Sequence, residues 1–209
     1  MEIHAPDHLP ANWKETAKHL AIITAGVLIA LTLEGIVSWI DHRMLVREAV
    51  ANLTAELRAN KKELDGHLAA LDNEARELDH LDEIANELAK GPIGHGEASL
   101  HIAGVELKNA AVTTGQITGA FGYMEYDRVR RYADVYDFQA GFMRMQEREG
   151  QHLADVISFA GHIDDRERQT AEALSRWKSQ IDIARTGVFL RQQFGRQLQK
   201  RYDEILSGR

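Results

Sequence analysis

Cysteine is absent from the 209 residues, which excludes disulfides, Cys-ligated zinc and thiol chemistry. Proline is almost absent, at Pro6, Pro10 and Pro92 only, so nothing after Pro92 forbids a helix interior. Basic charge is in deficit. Lys and Arg number 25 against 32 Asp and Glu, a formal net charge of -7, and a phosphate backbone must be met by clustered bases, so no nucleic-acid partner is expected. Nucleophile elbow, P-loop, dinucleotide fingerprint and HExxH are all missing, as are repeats of 20 to 50 residues and low-complexity tracts. No cofactor is expected.

What the chain does contain is Leu20 to Ile40, a run in which Glu34 is the only ionisable residue. As a helix it rises about 31 Å, against a bilayer hydrocarbon core of about 30 Å. Trp13, Lys14, Lys18 and His19 precede it and Trp39, Asp41, His42 and Arg43 follow, placing aromatic rings and charges at both interfaces. The run is longer than a signal-peptide core and ends in Ser38-Trp39-Ile40 without an A-x-A site, so an uncleaved anchor is expected. Lys14 and Lys18 before the span and Arg43, Arg47 and Arg58 after it nearly balance. A short basic N-terminus stays cytoplasmic, which puts the helical body in the periplasm of a bacterial inner membrane.

The domain plan is a short N-terminal segment (1–19), the transmembrane helix (20–40) and an extramembrane helical domain (41–209). A stalk helix is expected over 41–90. In it Leu57, Leu64, Leu71, Leu78 and Ala85 fall seven apart, with Leu53, Leu68, Ala75, Leu81 and Leu88 on the adjacent turn, a stripe of coiled-coil character. Gly91-Pro92-Ile93-Gly94-His95-Gly96 breaks it. A loop and a short helix, about Ala98 to Ile117, fill 91–122. Two long helices follow, over 123–162 and 164–207, with a turn and an N-cap at Gly161 to Asp165. The fold class is therefore all-α: one N-terminal transmembrane helix continuing into a long stalk, with two further long helices packed as an extended bundle. Simple up-down connection makes the helix from Tyr123 antiparallel to the stalk.

Two sets of residues stand out as sites. Gly26, Ala30, Glu34 and Ser38 recur every four residues on one face of the span; small residues let another helix approach closely, and an acid in a span faces protein or water rather than lipid. Glu149 and His152 form an E-x-x-H pair on an otherwise apolar stripe, the spacing of di-metal carboxylate bundles. In a second such pair, Glu77 and His80, the histidine points largely away from the bundle, so the expected state of Glu149 and His152 is a buried or semi-buried polar pair met by an Arg of the last helix, with no metal.

The segments NWKETAKHLAIITAGVLIALTLEGIV, REAVANLTAELRANKKEL and GAFGYMEYDRVRRYADVYDFQ resemble a family of small uncharacterised bacterial single-pass membrane proteins with an N-terminal anchor and a helical body. The resemblance implies an inner-membrane location and no activity. The expected function is a non-enzymatic membrane-anchored helical scaffold, assembly factor or accessory subunit of a membrane complex, meeting a protein partner or a second copy through the transmembrane helix and stalk. The alternatives are a periplasmic sensor or ligand-binding helical domain, and a metal-dependent enzyme using the E-x-x-H pair.

Overall fold

The computed structural model describes residues 13–91, 98–161 and 170–208, and the chain divides into two units, Met1–Glu48 and Ala49–Arg209. The fold is all-α, with no strand among the described residues. Helix α1 (Trp13–Leu88) runs through 76 residues without a break. Helices α2 (Ala110–Ile117), α3 (Tyr126–Ala160) and α4 (Ala171–Leu206) follow, with a 3-10 turn at Ala120–Tyr123.

The first unit is the N-terminal part of α1. Every side chain from Trp13 to Val37 is exposed, and this stretch is long and apolar enough to cross a membrane.

The second unit packs the rest of α1 with α3 and α4. On α1, Leu53, Leu57, Asn60, Leu64, His67, Leu71, Glu74, Leu78, Leu81, Ala85 and Leu88 are all buried, in unbroken alternating steps of four and three. The expected leucines at 57, 64, 71 and 78 are on this stripe, each worth roughly 2 kcal/mol on burial, but Leu68 and Ala75 are only half-buried beside it. On α4 the same stepping takes in Leu174, Trp177, Ile181, Ala184, Val188, Arg191, Gly195, Leu198 and Tyr202. One end of the core is wholly apolar. There Trp177 donates from Nε1 to the Val156 carbonyl at 3.1 Å and stacks on Phe159 at 4.8 Å.

The connection between α1 and α3 departs from the expected course. Only Ala110–Ile117 is helical; the described residues before it are extended, and they form a strap bonded along α1 in the reverse direction, from Glu77 (to His101) to Glu56 (to Ala111). Ten extended residues cover about 33 Å, and the 21 helical residues from Glu56 to Glu77 cover about 32 Å, so the two match. Because the strap already carries the chain back, α3 runs parallel to α1, not antiparallel. Tyr136 meets Glu56 at 2.7 Å, Gln139 meets Asn60 at 3.1 Å, and Phe142 lies edge-on to His67. Helix α4 is antiparallel to α1, as the pairs Asn86–Lys178 (2.6 Å), Asp79–Arg185 (2.5 Å) and Asp65–Gln199 (2.6 Å) show.

The ends are set by local chemistry. Gly119, at φ 73°, turns the chain out of α2 where a side chain would be strained. Met124 and Glu125 are extended, so α3 starts at Tyr126, later than the expected 123, with Asp127 in its first turn where the helix dipole favours an acid. Thr170 caps α4, its Oγ1 accepting from Ala173 N at 3.2 Å. The expected N-terminal segment up to Asn12, the loop residues 92–97 and the turn with its cap at 162–165 lie outside the described residues.

Candidate functional site

The strap makes no ladder with another strand, so its backbone groups must be met by side chains. Those side chains come from the helices and meet the strap at every second residue from His101 to Val105 and at every third from there to Ala111. Glu77 accepts from His101 N at 2.6 Å, and Glu74 from Ala103 N at 2.8 Å. The Gln146 amide closes both groups of Val105, accepting from N at 3.0 Å and donating to O at 2.9 Å. Asn60 does the same at Lys108, with Gln139 donating to the same carbonyl at 2.9 Å, and Tyr202 holds Gln139 through a 2.7 Å bond. Glu56 accepts from Ala111 N and from the Tyr136 hydroxyl. Buried as they are, Tyr136 and Tyr202 are pushed above the ordinary tyrosine range, first by desolvation and then by Glu56.

At the middle of this seam sits Arg191, 1% exposed, paired with Glu74, 0% exposed. Its Nη1 donates to the Ala103 carbonyl at 3.1 Å, so one guanidinium and one carboxylate together satisfy both backbone groups of that residue. Burial pushes the Glu74 carboxyl up, against the pull of Arg191 and of the Ala103 N–H. His67, one heptad before Glu74, is pushed down to about 4 by burial and then by the Arg191 charge. Neither of its ring nitrogens has a partner among the described residues.

Glu149 and His152 are not the expected buried pair. Glu149 is half-buried and close-packed over Gly187 of α4, while His152 is exposed. Three residues along a helix turn a side chain by about 300°, which at the edge of a buried stripe is enough to carry the second one out to water. Arg191 of α4 acts on Glu149 through its charge, while its ion pair is with Glu74. Burial raises the Glu149 carboxyl, opposed by Arg191, then His152 and Arg148. Glu149 Oε2 and Arg191 Nε both lack a hydrogen-bond partner among the described residues. One always-charged guanidinium faces two carboxylates; Glu74 is paired with it directly, and Glu149, without a direct pair, is the one whose ionised form burial disfavours. Among the described residues no cluster of three His, Asp or Glu has the arrangement of a metal site.

Arg191 also lines a cleft of about 470 Å³ between the strap at Ile102 to Gly104 and α3 at Met143 to Gly150. In the first unit, Gly26, Ala30 and Glu34 are exposed and Ser38 is half-buried; nothing approaches the Gly26 Cα within 4 Å of where a Cβ would stand.

Asn60, His67, Glu74, Gln139, Gln146 and Arg191 were absent from the sequence expectation. The signal for the α1 residues was the uninterrupted four-three stepping through the leucines, in which three consecutive heptads carry a polar residue at the same place. No known protein family, curated protein or solved structure matches the chain.

Proposed function

We propose that the protein is a non-enzymatic, single-pass, membrane-anchored helical scaffold, assembly factor or accessory subunit of a bacterial inner-membrane complex, with its body in the periplasm. The observation that carries this reading is the contrast between the two units. The apolar stretch of α1 is exposed on every side in the chain's own fold, whereas the stalk stripe from Leu57 to Ala85 is already buried by α3 and α4. Contact with a partner or a second copy therefore falls to the Gly26, Ala30, Glu34 and Ser38 face, where close packing and a polar contact supply the attraction that lipid does not. Of the buried polar residues of the body, Asn60, Glu74, Gln139 and Arg191 are engaged in holding the strap.

Ala30→Ile should weaken association by obstructing the approach, and Glu34→Leu should do so while making insertion easier. Native electrophoresis in mild detergent and crosslinking through Gly26→Cys measure both. Unchanged size and crosslinking in both variants would place the face against lipid and end this reading. For orientation, an alkaline phosphatase fused after Arg209 should be active, and an inactive fusion would put the body in the cytoplasm.

A ligand-binding reading has one observation in its favour, the cleft beside Arg191 with its unpartnered Nε. Native mass spectrometry of the purified chain decides it: a co-purifying small molecule lost in Arg191→Met would favour it, and bare protein would not. The metal-enzyme reading has lost its geometry, since His152 faces solvent and Arg191 stands by Glu149.

A further inference from the structure

Charge is unevenly distributed over the second unit, and of its exposed large apolar side chains, which include Phe189 and Ile183 elsewhere, the two most exposed stand at one end. Its Ala49 end is built from the first residues of that unit on α1, the start of α3 and the end of α4, because α3 runs parallel to α1 and α4 antiparallel. Across 49–62, 110–135 and 196–206 this end holds nine bases against six acids. The remainder of the three helices (63–88, 136–160 and 171–195) holds fifteen acids against seven bases. Large apolar side chains stand in water at the same end. Ile117, closing α2, is 81% exposed and Tyr126, opening α3, is 77% exposed. Arg128, Arg130 and Arg131 follow and are exposed, as are the two acids beside them, Glu125 and Asp127, which leaves the corner with one net positive charge. An aliphatic and an aromatic residue beside a cluster of arginines is the composition of a surface that rests in a lipid headgroup layer.

We infer that the corner from Ile117 to Arg131 docks on anionic phospholipid headgroups of the leaflet into which the chain's own anchor passes. The inference rests on the anchor reading of Leu20 to Ile40. Ala49 follows Ile40 by nine residues, which reach at most about 32 Å however they run, so this end of the bundle is the one tethered to the leaflet. The acidic remainder is repelled from an anionic surface and the basic end is drawn to it, within a Debye length of about 8 Å. Each Lys or Arg near such a surface contributes roughly fivefold to partitioning. The anchor supplies proximity and the corner supplies orientation.

The chain lacks cysteine, so single spin labels can be placed in the full-length protein reconstituted in nanodiscs. A label at Gln116→Cys reports on the corner, one at Glu83→Cys on the acidic part, and one at Val27→Cys on the anchor. In nanodiscs of phosphatidylcholine with phosphatidylglycerol, collisions of the Gln116 label with a water-soluble nickel chelate should fall severalfold relative to the Glu83 label. Phosphatidylcholine alone should restore them, as should Arg128→Glu with Arg130→Glu and Arg131→Glu in a protein of unchanged circular dichroism. A Gln116 label as accessible as the Glu83 label, with Val27 sheltered, overturns the inference and leaves the anchor standing. Accessible Val27 brings down the anchor and this inference with it. Protection that persists in neutral lipid or in detergent means another chain covers the corner, which also overturns it.

Discussion

Arg191→Met is the substitution that probes the centre of the body most directly. It removes the charge opposite Glu74, whose side chain is 0% exposed, and it strips the Ala103 carbonyl of its donor. A carboxylate left buried without its partner costs about 3–5 kcal/mol, and an unmet carbonyl adds about 1–3 kcal/mol. The Glu74 carboxyl can escape part of this by taking up a proton, since burial already raises it. For a unit of this size, 1 kcal/mol corresponds to about 2–4 °C in Tm, so a drop on the order of 10 °C is expected. Glu74→Leu should cost comparably, because it orphans both Arg191 and the Ala103 N–H. In the double variant no buried charge remains and only the two Ala103 backbone groups lose partners, so its loss should be smaller than the sum of the singles by about 2 kcal/mol or more. The assay is thermal unfolding of the full chain in detergent, followed by circular dichroism at pH 7. Additive losses, or single variants within about 2 °C of the parent, would refute the account of Arg191 and Glu74 as one unit.

His67 is neutral in the fold down to about pH 4 but takes up a proton near 6.5 once unfolded. The unfolded state then binds more protons between those values, so stability should fall by roughly 3 kcal/mol as pH drops through that window; His67→Leu should flatten this part of a Tm-against-pH curve, and an unchanged slope would show that other groups set it. Glu149 has the opposite sign. Its folded carboxyl is raised, so the penalty of ionising it is absent at low pH and grows as pH rises; Glu149→Gln should raise Tm at pH 7 and lose that gain near pH 4, and a gain independent of pH would contradict the assignment. Gly195→Ala places a methyl 2.7 Å from Leu68 Cδ2 and 3.5 Å from the Phe142 ring, an overpacking cost of about 1–3 kcal/mol that Leu68→Ala should partly relieve. Replacing Asn60, Gln139 and Gln146 together by Leu removes the amides that close Val105 and Lys108. Hydrogen exchange should then show lost protection from Ala103 to Ala111 with the helices still protected, and protection unchanged there would mean the strap is held by something else.

Much of this architecture was legible in the sequence because helix period and apolar run length are local properties. The apolar stretch of α1, the leucine stripe and the Leu174 to Val188 face of α4 all follow from them. The direction of α3 was not legible in that way. A glycine-proline cluster says that a helix stops and not where the chain goes next. Ala98 to Asn109 carries no proline and a single glycine, Gly104, and its helix-compatible composition is overridden by six polar side chains far away in sequence. Glu149 reads in the sequence as the partner of His152 and of an unspecified Arg of the last helix. That Arg191, 42 residues later, pairs directly with Glu74 of α1 was not legible, because nothing local marks which cation of α4 is buried.

The polar seam and the parallel course of α3 are one fact. Had positions 60, 67 and 74 of α1 and 139, 146 and 149 of α3 been leucine like their neighbours, those faces would pack on each other directly, and nothing would favour an extended segment between them. Amide and carboxyl groups at heptad spacing instead demand partners on burial, and an extended backbone offers N–H and C=O groups every second residue, about 6.6 Å apart. Seven helical residues rise about 10.5 Å, so one helix alone cannot match that spacing. Side chains drawn from both α1 and α3 can meet it more closely: Glu74 of α1 at Ala103, Gln146 of α3 two residues on at Val105, and Asn60 and Gln139 together three residues further at Lys108. Once the strap occupies the seam, the chain has already returned to the Glu56 end of α1, and α3 has only the parallel direction left.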